Sequence, residues 1–121
     1  MSREITPPPR SDAIPATEPV LDVDHLASFT EGDVQLEREL SALFLATAEM
    51  YLQGMQEALT AGRPWTSLAH ALKGASGNLG ARRLAALALA AERSEPDRAQ
   101  LAALEHAVAQ VRALFAERVG V

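Results

Sequence analysis

One histidine in this chain stands among residues that suit group transfer. In the run Trp65-Thr66-Ser67-Leu68-Ala69-His70-Ala71-Leu72-Lys73-Gly74-Ala75-Ser76-Gly77-Asn78-Leu79-Gly80, His70 is followed by Lys73, Gly74 and Gly77. Taken as a helix at about 100° per residue, the run places Trp65, Leu68, Ala69, Leu72, Ala75, Ser76 and Leu79 in one apolar stripe. His70 lies about 160° from Leu72 on the same wheel and therefore points away from the core that the stripe covers. Gly74 and Gly77 share its face, where each costs about 0.8–1.0 kcal/mol relative to Ala in a helix interior. Their bareness lets a partner bring its own backbone and a reacting group close to the imidazole. Lys73, the only lysine beside ten arginines, can reach over the ring as a mobile point charge.

The chemistry these residues suit is phosphoryl carriage. A neutral imidazole has a nitrogen lone pair, and its reference pKa of roughly 6.5 leaves it largely neutral near pH 7, so it attacks phosphorus without an extra base. Exposure is required because donor and acceptor must reach the same nitrogen in line, and such transfer depends on positioning and charge neutralisation. Two rivals stand beside this reading. A hydrolase with His70 as nucleophile would need an acid, an anion-binding loop and a pocket, and the turns adjoining His70 on its own helix hold no carboxylate. A helical interaction module with an incidental surface histidine is the other.

Helices must present this face, and the rest of the chain supplies them. From Val20 onward Ala and Leu recur at helical spacing with no period-2 run. Asp22 or Asp24 caps a short helix with Leu26 and Phe29, and Asp33 caps a long one from about Val34 to Thr60 that ends at Ala61-Gly62. Pro64 suits a first helical turn, which opens a helix from Trp65 to about Asn78 stopped by Gly80. A fourth helix runs from Ala81 to about Arg93, and a fifth, after Ser94-Glu95-Pro96-Asp97, carries Leu101, Leu104, Val108, Val111 and Phe115. These features predict an all-α fold, an antiparallel up-down four-helix bundle with the short N-terminal helix lying across it. The long helix has an apolar arc wider than one core needs. The leading helix is expected to cover one edge with Leu26 and Phe29, while Leu43 and Met50 on the other edge suit either core packing or docking beside His70.

Composition narrows the function classes further. The 121 residues allow one domain, with 48% apolar and 22% charged residues, and the net charge is -5. Nothing basic is clustered enough to follow a phosphate backbone, which argues against nucleic acid. Apolar stretches fall short of the roughly 20 residues of a membrane span, and the N-terminus lacks a hydrophobic signal region, so a soluble cytoplasmic protein is expected. Without cysteine there is no thiolate metal site or disulfide. His25 and His106 stand at no metal-ligand spacing and are read as surface residues. Residues 1–19, with five of the seven prolines, are read as a disordered tail or linker, leaving 20–121 as the bundle.

The run His70-Ala71-Leu72-Lys73-Gly74-Ala75-Ser76-Gly77-Asn78-Leu79-Gly80-Ala81 resembles the H-x-L-K-G-x-S-x-x-L-G-A signature of histidine-containing phosphotransfer (HPt) domains. The likeness extends over residues 20 to 119. It implies a phosphocarrier without turnover of its own, with His70 as phosphoacceptor and Lys73 stabilising the phosphate charge. Gly74, Gly77, Thr66 and Ser67 would form the docking surface. It further implies response-regulator receiver domains and a hybrid sensor histidine kinase as partners, and no bound metal or cofactor, since Mg2+ belongs to the receiver; nothing in the sequence demands a dimer, and a monomer is expected. Arg82 and Arg83, which oppose the dipole at a helix start, are read as solvated charges or as contacts for an acidic receiver surface.

Overall fold

The computed structural model describes residues 18–121, and the greater part of the proline-rich tail lies outside the described residues. The chain forms α1 (Val23–Thr30), α2 (Val34–Ala61), α3 (Thr66–Leu79), α4 (Arg82–Glu92) and α5 (Arg98–Val119). Their starts and stops follow local chemistry. The side chains of Asp22, Asp33 and Asp97 accept from the backbone N–H groups of His25, Leu36 and Gln100, so α1, α2 and α5 are each side-chain capped. α2, α3 and α5 end on Gly62, Gly80 and Gly120 in the left-handed region. Pro64 departs from expectation. It precedes Trp65, the N-cap of α3, and so belongs to the connection rather than to the first helical turn.

α2 to α5 form the four-helix bundle, each packed on its two sequence or ring neighbours, while α1 packs on α2. The core is built from Phe44, Met55, Trp65, Leu72, Leu84, Leu104, Val111 and Phe115 among others. Phe44 and Phe115 meet edge to face at 6.5 Å between centroids. Leu26 is fully buried as expected of the covering helix, but Phe29 is 48% exposed. The eight residues make about two turns whose buried row is Leu26 and Thr30, four apart, and Phe29 stands at the edge of that row.

Several polar residues serve to fix α1. The Asp22 carboxylate accepts from Arg82 Nη2 at 3.1 Å, and the Asp22 N–H donates to the Gly80 carbonyl at 2.7 Å. The N–H of His25, followed by Arg82, holds the Asp22 carboxyl below its ordinary range. His25 Nε2 lies 2.9 Å from the Asn78 carbonyl, and its ring stands edge-on to Phe29 at 5.0 Å. Arg83 binds the Glu18 carbonyl through Nε, and its backbone N–H binds the Pro19 carbonyl. These bonds correct two sequence expectations: Arg82 and Arg83 are structural anchors, and His25 is a half-buried staple rather than a surface residue. His106 is exposed. Gly80 is required here, since a Cβ on it would lie 3.0 Å from the Asp22 carbonyl and its φ is +95°.

Candidate functional site

α3 turns its two faces to different media, as its sequence period demands. Trp65, Ala69, Leu72, Ser76 and Leu79 are buried, Leu68 and Ala75 are half-buried, and Thr66, Ser67, His70 and Gly74 face out. The His70 side chain is 66% exposed. A Cβ built on Gly74 or on Gly77 would meet nothing within 4 Å, so neither glycine serves close packing inside the bundle. That role falls to Gly54 of α2, where a Cβ would come within 3.0 Å of Leu68. The open surface beside His70 is thus not explained by the fold.

The structure adds one residue that helix-by-helix reasoning missed. Glu92, the last residue of α4, places Oε2 3.0 Å from His70 Nδ1 and Oε1 3.0 Å from Lys73 Nζ. The expectation that no carboxylate adjoins His70 holds within α3 and fails across the bundle. Two signals in the sequence point to Glu92. His70 and Glu92 lie equally far on either side of Ala81 in the tight α3–α4 turn, so an antiparallel pair brings them level. An anion at a helix C-terminus also opposes the dipole by about 0.3–1 kcal/mol, a local cost that calls for compensation. Trp65 secures the approach: its buried indole N–H donates to the carbonyl of Ala91 at 2.8 Å, tying the end of α4 to the start of α3.

Electrostatics then fixes the proton on the ring. Lys73 lowers the Glu92 carboxyl below its ordinary value of 4.5, and His70 lowers it further, against partial burial. Oε1 is sheltered and has no aligned hydrogen bond, so the Lys73 ammonium compensates it by charge. An ionised carboxylate can only accept, so Nδ1 is the protonated nitrogen of the neutral ring and Nε2 keeps its lone pair. Among the described residues Nε2 makes no hydrogen bond.

On the other flank of His70 the surface is apolar. About 100° per residue puts Asn78 and Ala75 on the side of His70 opposite Lys73. These two line a groove of about 330 Å³ with Phe29, Leu40, Leu43 and Phe44. Leu43 and Met50 are 65% and 63% exposed, so this edge of α2 is surface rather than core. His70 therefore stands between a charged flank on α4 and an apolar flank on α1 and α2.

The family model for the Hpt domain matches residues 39–114. The chain belongs to the Hpt domain family. It is similar to the crystal structure of histidine-containing phosphotransfer protein B (HptB) from Pseudomonas aeruginosa PAO1, with a TM-score of 0.76 and 32% identity, over 82% of this chain and 93% of that one. A search of curated proteins finds no match. Membership of the Hpt family makes this chain a histidine phosphocarrier of two-component signalling rather than a conventional enzyme, and the all-helical fold agrees with it. Among the described residues no helix is long and apolar enough to cross a membrane.

Proposed function

We propose that Nε2 of His70 accepts a phosphoryl group from the aspartyl phosphate of one receiver domain, or from a kinase, and passes it to the aspartate of a response-regulator receiver. The observation that carries this reading is the Nδ1–Glu92 hydrogen bond, which leaves the outward nitrogen unprotonated on an exposed ring. When the donor is a receiver's aspartyl phosphate, the Nε2 lone pair attacks phosphorus in line, the acyl P–O bond breaks, and its electron pair leaves on the aspartate carboxylate. The onward step is the reverse on a second carboxylate.

Lys73 has three N–H donors. One faces Glu92, and the others are available to a phosphoryl oxygen on the neighbouring ring, where the ammonium offsets part of the dianion's charge. Gly74 and Gly77 give the receiver clearance, Thr66 and Ser67 border the same face, and the Phe29–Leu43 groove offers apolar area for docking. The carrier needs no cofactor of its own, magnesium being held by the receiver, and acts as a monomer in the cytoplasm.

A phosphorylated receiver carrying radiolabel, mixed with wild type and with His70→Gln, tests the assignment. Label should move to wild type and not to the variant. Equal labelling of both would leave the chain an interaction module with an incidental histidine.

A further inference from the structure

The bond between His70 and Glu92 acquires a second consequence once a phosphoryl group is bound, a consequence that rests on His70 being the phosphoacceptor. When Nε2 forms its bond to phosphorus, Nδ1 keeps its proton and the ring becomes positively charged. When that P–N bond later breaks, its electron pair returns to Nε2. A ring still protonated on Nδ1 departs as neutral imidazole. A ring that has lost this proton would have to depart as imidazolate, a far poorer leaving group.

We infer that the negative charge of Glu92, beyond its oxygen as an acceptor, keeps Nδ1 protonated in the phosphohistidine, making Glu92 the positioning residue that sets how readily the phosphoryl group moves on. Three observations carry this. Oε2 is 3.0 Å from Nδ1, within reach of a charge-assisted bond that strengthens as the ring becomes cationic. Oε1, sheltered and without an aligned hydrogen bond, is matched by Lys73 at 3.0 Å, which keeps the carboxylate ionised. The acid sits at the last position of α4 against the helix dipole, held by the Trp65–Ala91 bond one residue earlier. Among the described residues, the charged groups bonded to the ring or to its carboxylate are Glu92 from α4 and Lys73 from α3. Among the described residues, no titratable side chain of α2, the other helix against α3, bonds to it.

Glu92→Gln separates charge from shape, because glutamine retains an acceptor oxygen. Wild type, Glu92→Gln and Glu92→Ala are phosphorylated with potassium phosphoramidate, which needs no receiver, with the signal assigned by its loss in His70→Gln. The 15N resonance of Nδ1 is followed against pH together with the phosphohistidine lifetime. In Glu92→Gln, Nδ1 should lose its proton about one pH unit lower, with about tenfold longer lifetime and about tenfold slower receiver exchange in both directions. Identical titration and lifetime in wild type and Glu92→Gln would overturn the inference. So would an effect confined to Glu92→Ala, which would make the acceptor sufficient without its charge. If wild type takes phosphoramidate label but exchanges with no receiver, the carrier reading fails while the Nδ1 titration still decides the role of Glu92.

Discussion

Two carboxylates in this bundle each hold a cation, and they commit their oxygens differently. Glu37, at the start of α2, is 6% exposed and binds Arg118 near the end of α5 by two parallel bonds, Nε at 2.8 Å and Nη2 at 2.9 Å. Arg38 beside it donates to the Val119 carbonyl at 2.8 Å, so the pair closes one end of the bundle. Glu37 raises the Arg118 pKa above its ordinary value, against partial burial. Glu92 faces partners that are both reachable from solvent, His70 at 66% and Lys73 at 32%. In the Glu37–Arg118 pair, both oxygens are committed to one guanidinium fork that ties two helix ends. At Glu92 the two oxygens are divided between two partners, one of them the ring proposed to take the phosphoryl group. Whether both oxygens serve one guanidinium or are divided between an exposed imidazole and an ammonium, rather than the identity of the acid, separates the two sites.

That division predicts different readouts at the two ends. On the open face, Gly74→Leu should slow phosphoryl exchange with a receiver by about 100-fold through displacement of the partner. The same change should raise stability by roughly 0.5–1 kcal/mol, because the added side chain meets no neighbour and leucine favours the helix. Rapid-mixing transfer assays beside urea unfolding check both halves, and unchanged exchange would show that clearance at this position is irrelevant. At the closed end, Glu37→Ala should cost about 2 kcal/mol, less than a wholly buried pair because the Arg118 side chain retains access to water. Phosphoryl exchange should stay within about twofold of wild type. A stability loss at Glu37 accompanied by equal loss of transfer would erase the contrast between the two acids.

The smallest effect concerns acid. The folded Glu92 carboxyl titrates below its ordinary 4.5, so its ionised form favours the folded state. This contribution is present above that ordinary value and fades as pH falls through the lower folded one. Thermal midpoints of wild type and Glu92→Gln should therefore differ most near neutrality and converge as the solution becomes more acidic than the folded carboxyl. A gap that widens with acid would reverse the assigned sign.

Much of this was legible residue by residue. The aspartate caps, the glycine stops and the burial of Trp65, Ala69 and Leu72 follow from spacing, because a helix repeats its environment at a fixed angle. Those same angles send His70 and Gly74 outward. Misreadings gather where one element meets another. Phe29 was expected to cover α2 and instead borders a groove, and Arg82, Arg83 and His25 proved to hold α1 onto the α3–α4 turn. Their partners lie on other segments, beyond the reach of a single helical wheel.

The sequence by itself determined the five helices, the solvent-facing imidazole and the bare patch beside it, since each depends on interactions within about two turns of chain. Only the tertiary structure decided which nitrogen of that imidazole is left unprotonated. That outcome depends on Glu92, twenty-two residues further along the chain, brought to hydrogen-bond distance by the antiparallel packing of α3 and α4. Hydrogen bonds require contact within about 3 Å, and contact across helices is set by how the whole bundle buries its apolar faces.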